Sequence, residues 1–164
     1  MKRFWMRALL CFALSAALLT GCALSPSSQP AESPTDPLTG QELVSIAIDN
    51  AATNTTQWGL STASLVLEAL TAQQQATRLC LVYPAVGAVP QVGPVSAGQD
   101  LYWRLLVGQH VLPVQRGGEQ FDQNYLDYYS LRAVDALEVG TNAFSCETNW
   151  QNVPLWHTSG AALS

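Results

Sequence analysis

The chain has 164 residues, of which 48% are hydrophobic and only 12% are charged. This length accommodates one domain with a hydrophobic core and is too short for two, and the composition argues against an intrinsically disordered chain. Beyond residue 30 the sequence carries four arginines, no lysine and 12 acidic residues, a formal charge of −8, so it lacks the basic surface that nucleic-acid binding requires.

The N-terminus has the features of an export signal. Three basic residues in the first seven precede Ala8–Leu19, a run of small and apolar residues that is too short to span a bilayer. The run ends in Leu-Thr-Gly-Cys, which resembles the lipobox of bacterial lipoproteins. We therefore predict a signal peptide at residues 1–21 and two acyl chains on Cys22, which anchor the mature protein to the extracytoplasmic face of the cell membrane.

A proline- and serine-rich segment follows the lipobox. Residues 22–37 have the composition of a semi-extended tether, so we expect the folded domain to occupy residues 38–164. Within that domain, Cys80 and Cys146 either form a disulfide, which is permitted outside the cytosol, or leave Cys80 as a small buried thiol. The spacing of histidines and cysteines suits no metal site, and we predict no metal and no cofactor.

The first half of the domain predicts strands. Leu43–Asp49 is almost entirely apolar, as in a strand buried on both faces. Residues 61–71 fit either a helix or a strand that pairs with the apolar run 77–83 as a hairpin.

The second half predicts two helices around a short strand. The first helix, residues 97–107, would bury Leu101, Tyr102, Leu105 and Leu106 on one face and pair Asp100 with Arg104 on the other. Residues 110–115 predict a strand, placed at a sheet edge by Pro113. After Gly117-Gly118, a second amphipathic helix carries a stripe of aromatic residues, which either packs in the core and at its rim or forms a ligand platform. The stripe consists of Phe121, Tyr125, Tyr128 and Tyr129. Residues 133–164 predict irregular strand and loop. The order of strands and helices along the domain predicts an α/β fold, a single domain with a layered mixed sheet and flanking helices.

A series of short sequence pieces occurs in a set order between residues 37 and 160. The pieces are Pro37-Leu-Thr-Gly40, Ile48-Asp-Asn50, Gly59-Leu-Ser61, Leu65-Val-Leu-Glu-Ala-Leu70, Thr77-Arg78, Val92-Gly-Pro-Val95, Gly117-Gly118 and His157-Thr-Ser-Gly160. In this order they resemble the YerB-like bacterial lipoproteins, a family with a domain of unknown function. The resemblance implies a membrane-tethered extracytoplasmic protein with an α/β N-terminal domain. Members typically continue into a C-terminal domain, which we expect to be missing from this chain.

The chain also departs from the pattern of the family it resembles. The arginines that follow the Gly-Pro-Val piece are replaced by Ser96 and Gln99, a histidine before the Gly-Gly pair is Gln115, and Thr55 stands where the family has an arginine. Each replacement removes a group that could bind an anion or carry a proton. We predict that these four positions line one concavity, which has been neutralised in this chain.

Three groups of residues are candidates for a ligand site. Asp49 and Asn50 end a buried strand, where ligands bind in α/β folds, or they cap the following loop. Gly117 and Gly118, beside Arg116, either hold an anion on free N–H groups or form a tight turn, with positive φ expected at Gly118. In the hairpin alternative Glu68 faces Arg78, which predicts a structural ion pair.

No catalytic residues are predicted. Ser159 lies two residues from His157 and has no acid at a recognisable spacing, so a hydrolase triad is not supported. The favoured function is that of a lipid-anchored, non-catalytic domain that binds an envelope protein or a cell-wall component. The alternative is a divergent enzyme or small-ligand domain that uses the candidate residues.

Overall fold

The computed structural model describes residues 42–51, 56–70, 76–106 and 108–164. The signal peptide, Cys22, the tether and Thr55 lie outside the described residues. Within the described part no helix is long and apolar enough to cross a membrane.

The centre of the fold forms where the sequence is most apolar. β1 (Leu43–Asp49) has six buried residues out of seven, as a strand covered on both faces requires. It belongs to a five-stranded sheet whose other strands are β2 (Leu65–Leu70), β3 (Thr77–Tyr83), β4 (Val111–Gln115) and β5 (Val134–Asp135). The strand order is β2-β3-β1-β4-β5. β3 pairs antiparallel with β2 and with β1, whereas β4 pairs parallel with β1 and with β5. The predicted mixed sheet is confirmed.

The hairpin alternative for residues 61–71 is also confirmed. β2 pairs antiparallel with β3, and Leu67 lies opposite Cys80. The helix alternative is wrong because the edge of β3 offers backbone partners to this segment.

Each face of the sheet is covered by a different layer. On one face lie α1 (Asp100–Leu105) and α2 (Gln120–Tyr128), whose buried side chains include Tyr102, Trp103 and Leu126. The other face carries Val44, Ile46 and Ile48 of β1 and is covered by loops and by elements from residues 136–164. These elements are α3 (Ala136–Val139), the hairpin of β6 (Ser145–Thr148) and β7 (Pro154–His157), and α4 (Gly160–Leu163). The predicted α/β class with flanking helices is therefore correct, whereas residues 133–164 are more regular than expected.

The helix faces differ from the predicted ones. In α1 the predicted pair of Arg104 Nε with Asp100 Oδ2 is present at 2.8 Å, but Leu101 and Leu105 are exposed and Trp103 is buried instead. The short helix turns Trp103 toward a buried acid of α2.

The aromatic stripe of α2 is mostly exposed. Tyr125 is buried, whereas Phe121 and Tyr128 are exposed and Tyr129 is half exposed. The expected core and rim packing therefore holds for Tyr125 and for Tyr129, whose ring lies against that of Tyr125, but is wrong for Phe121 and Tyr128. The reason is that α2 covers the sheet with only one side of a nine-residue helix.

Two further predictions concern single residues. Pro113 does not lie in an edge strand, because β4 lies between β1 and β5; β5, however, pairs only with Val114 and Gln115, so at Pro113 the strand β4 has a neighbour on one side alone. The disulfide alternative is wrong as well, since Cys80 is a buried free thiol and Cys146 an exposed one.

Candidate functional site

A pocket of about 250 Å³ lies where the parallel strands β1 and β4 end. Asp49 is the last residue of β1, and Arg116 follows the last residue of β4. β3 runs antiparallel to β1, which places Arg78, near its start, opposite Asp49. We call this cavity the arginine pocket; its lining consists of Asp49, Arg78, Pro94, Val95, Ser96, Ala97, Arg116, Val153, Pro154 and Trp156.

The backbone of Ser96 is hydrogen-bonded to the ends of both β1 and β4. Ser96 N donates to the carbonyl oxygen of Ala47 at 2.9 Å, and Arg116 N donates to the carbonyl oxygen of Ser96 at 2.8 Å. This segment therefore holds the ends of β1 and β4 apart. A ligand pocket at such a position, beyond the carboxyl ends of parallel strands, is common in α/β folds.

The arginine pocket is rich in hydrogen-bond donors without acceptors. Arg78 Nη1, Arg116 Nε and Trp156 Nε1 are buried, and none has a hydrogen-bond partner among the described residues. The guanidinium carbon of Arg116 lies 5.6 Å from the centroid of the Trp156 ring. Guanidinium and indole N–H groups only donate, and a buried donor without an acceptor costs about 1–3 kcal/mol. The chemistry of this wall therefore favours a ligand that supplies acceptors and negative charge.

The predicted pair Asp49 and Asn50 has two separate roles. Asp49 lines the pocket and also caps the next turn, because its Oδ1 accepts a hydrogen bond of 2.9 Å from Ala51 N. Asn50 is engaged in the structure: its Nδ2 donates to Thr77 Oγ1 at 2.7 Å, and its Oδ1 accepts from Gln57 Nε2 at 2.7 Å. The binding and the capping interpretations of Asp49 are thus compatible, and Asn50 belongs to the loop.

The predicted ion pair of Glu68 with Arg78 is wrong. The register of the hairpin places Ala69 opposite Arg78 and Glu68 opposite Leu79. Neighbouring residues of a strand point to opposite faces of the sheet, so Glu68 and Arg78 are separated by it. Glu68 instead accepts a hydrogen bond of 2.6 Å from Thr77 Oγ1.

The Gly117-Gly118 turn binds an acid of the protein itself. Gly117 N donates to Asp135 Oδ1 at 2.8 Å, and Leu137 N donates to the same oxygen at 2.8 Å. The positive φ, +69°, is at Gly117, so the expectation for Gly118 is wrong. Gly118 is needed for space, because a Cβ atom there would lie 1.9 Å from Asp122 Oδ2.

Asp122 is the centre of a buried polar cluster that sequence reasoning missed. Its Oδ1 accepts a hydrogen bond from Trp103 Nε1, and its Oδ2 accepts one of 3.1 Å from Gln115 Nε2. The same Gln115 nitrogen lies 3.3 Å from Asp135 Oδ2. Burial raises the pKa of the Asp122 carboxyl above its ordinary value, and the two hydrogen bonds oppose that rise. In the sequence, the place of Asp122 in the first turn of a helix indicates only a favourable interaction with the helix dipole, so the cluster has no sequence signal.

The predicted shared concavity of the neutralised positions is not formed. Ser96 lines the arginine pocket, but Gln99 lines a different pocket beside Leu101 and Phe121. Gln115 is almost fully buried within the polar cluster. Of the three positions that the structure describes, Ser96 alone lines the arginine pocket.

The region around His157 contains no catalytic triad among the described residues. His157 Nε2 lies 3.4 Å from Glu147 Oε1, and its Nδ1 lies 3.4 Å from Gln91 Nε2. Ser159 lines the same pocket without a hydrogen bond to the imidazole ring. Among the described residues no group of three or more His, Cys, Asp or Glu side chains is arranged to hold a metal ion.

Comparisons with known proteins agree with the resemblance noted in the sequence. The crystal structure of the YerB protein from Bacillus subtilis matches with a TM-score of 0.65 and 23% identity, over 78% of this chain and 43% of that one. The chain thus spans less than half the length of this solved relative, and the likeness shows the fold. None of the curated proteins matches. The model of the DUF3048 N-terminal domain, described as a protein of unknown function, matches residues 31–160, so the chain belongs to this family.

Proposed function

We propose that the protein is a lipid-anchored, extracytoplasmic domain that binds an anionic group of another envelope component without catalysing a reaction on it. The lipobox ending in Cys22 supports the anchor and the location. The binding role is supported by three buried hydrogen-bond donors of the arginine pocket that have no acceptor among the described residues, namely Arg78 Nη1, Arg116 Nε and Trp156 Nε1.

The charges of the pocket support an anion as the ligand. Two arginines and one carboxylate, that of Asp49, line the pocket, and Asp49 Oδ1 accepts a backbone hydrogen bond. The pocket therefore carries an excess of positive charge, although the domain as a whole is strongly acidic. A carboxylate or phosphate group matches the planar fork of an arginine, and a charge-assisted hydrogen bond is about twice as strong as a neutral one.

The lining residues favour binding over catalysis. A guanidinium group remains protonated and does not transfer protons. The hydroxyl of Ser96 donates to the carbonyl oxygen of Ala97 at 3.4 Å. Among the described residues that line the pocket there is no histidine and no cysteine. A nucleophile next to a base, which the alternative of a divergent enzyme requires, is not found among these residues.

The proposal is tested by anion titration of the mature protein in detergent. Phosphate and acetate serve as probes, and Trp156 fluorescence or chemical shifts report occupancy. We expect Arg78→Gln and Arg116→Gln each to weaken binding at least about tenfold, because each removes a charge-assisted hydrogen bond. Arg132→Gln is the matched control, since Arg132 is exposed and does not line the pocket.

The two probes separate the classes of ligand. Tighter binding of phosphate indicates a phosphorylated envelope component, and tighter binding of acetate indicates a carboxylate. Equal affinity of all three variants, or no binding of either probe to the wild type, would contradict the proposed function.

A further inference from the structure

The outer edge of the five-stranded sheet is an apolar strand. β2 lies at the end of the strand order and has β3 as its partner within the described part of the chain. Leu65, Val66 and Leu70 are 41%, 43% and 64% exposed. An edge strand presents a row of unpaired N–H and C=O groups, and proteins normally protect such a row with lysine, proline or a bulge. β2 has none of these and carries one charge, that of Glu68.

The apolar surface continues from this edge onto the helical layer. Leu70 lines the same pocket as Leu101 of α1 and Phe121 of α2, both of which are exposed. Polar lining is contributed by Gln99, Asp100, Glu119 and Asp122. A surface that combines free backbone groups with a neighbouring apolar patch is suited to the addition of another strand.

We propose that β2 pairs with β2 of a second copy of this chain, so that the two sheets join into one. In an antiparallel pair about a two-fold axis perpendicular to the sheet, residues that lie opposite each other must share a face. The strand allows two such registers near its centre, one with Leu67 opposite Leu67 and one with Glu68 opposite Glu68. The second register sets like charges opposite each other, which is destabilising.

The register centred on Leu67 makes the strand complementary to itself. It places Val66 opposite Glu68 of the second copy and Leu65 opposite Ala69, so the two acids are not opposite each other. The central contact is between two leucines on the face of the helical layer, where Leu67 packs against the core. A second copy therefore fits this edge, because the central leucines meet and the two Glu68 carboxylates do not lie opposite each other.

The oligomeric state of the full mature chain in detergent tests this pairing. We expect a dimer by light scattering over a dilution series, and Val66→Lys should raise its dissociation constant at least about tenfold, because an edge lysine opposes strand pairing. Leu137→Lys is the matched control: Leu137 is also exposed and apolar but lies on α3, and this variant should remain dimeric. Thermal melting checks that both variants are folded.

Engineered cysteines test the register independently of the folding of the lysine variant. In a Cys146→Ser background, Leu67→Cys should form a disulfide between two chains on mild oxidation, because directly opposite residues have Cβ atoms about 4.5–5.5 Å apart. Glu68→Cys should not, since it lies diagonally across from its copy. A monomer at all concentrations, a dimer that Val66→Lys leaves intact, or cross-linking through Glu68→Cys alone would overturn the proposal.

Discussion

Replacing Gly118 by alanine tests the buried polar cluster directly. The new Cβ atom would lie 1.9 Å from Asp122 Oδ2, so the carboxylate has to move. That movement strains or breaks the hydrogen bonds that Asp122 accepts from Trp103 Nε1 and Gln115 Nε2. A hydrogen bond to a charged group contributes about 1.5–3 kcal/mol. We expect Gly118→Ala to lower the free energy of unfolding by about 3 kcal/mol, with part of the loss recovered by relaxation of the cluster.

The control and the refuting result come from the same assay, urea unfolding followed by circular dichroism. At Gly87 a Cβ atom meets nothing within 4 Å, so Gly87→Ala should leave stability nearly unchanged or raise it slightly. In an Asp122→Ser background, Gly118→Ala should cost much less than in the wild type, which a double-mutant cycle measures as a coupling free energy. An equal loss for Gly118→Ala and Gly87→Ala would refute the reasoning.

Three further predictions concern the anchor, the pH dependence and the thiols. Cys22→Ala should leave an uncleaved precursor without lipid; metabolic labelling with a fatty-acid analogue measures this, and equal labelling of wild type and variant would contradict it. Because burial raises the pKa of Asp122 in the folded state, its contribution to stability is greatest below the ordinary carboxyl pKa and declines as pH rises through the folded value. Unfolding measured across this pH range should therefore show a steeper decline for the wild type than for Asp122→Asn, and parallel curves would count against the assignment. In the folded protein a thiol reagent should modify Cys146 quickly and Cys80 only on unfolding, because burial shields Cys80 and raises the pKa of its thiol; equal rates would show that Cys80 is accessible.

The predictions from sequence succeeded where a local pattern had one structural solution. β1 and β3 begin and end at the predicted residues, because a short, mostly apolar run fits a buried strand and little else. Residues 65–70 remained ambiguous because their character as a strand comes from pairing with β3, which is a tertiary effect.

The candidate site was predicted in part for the same reason. Asp49 was a candidate because it ends a buried strand, Arg116 because it precedes the Gly-Gly pair, and Arg78 as the expected ion partner of Glu68. The topology of the sheet brings the three residues to one pocket. Trp156 was missed because β7 has only four residues and shows no periodicity in the sequence. The relation of Glu68 to Arg78 was wrong because the register of a hairpin depends on the loop, and a shift of one residue moves a side chain to the other face.

The carboxylate of Asp135 has a mechanical consequence for the sheet. β5 has two residues and so contributes a short ladder to β4, yet Asp135 joins Gly117 N and Leu137 N across that junction. The pairing of β4 with β5 is thus stabilised by the hydrogen bonds that Asp135 accepts in addition to a few hydrogen bonds between the strands. Loss of these hydrogen bonds would unfold β5 and α3 as one cooperative unit while β1, β3 and β4 stay folded. The backbone amides of β5 and α3 should therefore exchange their protons before those of the central strands.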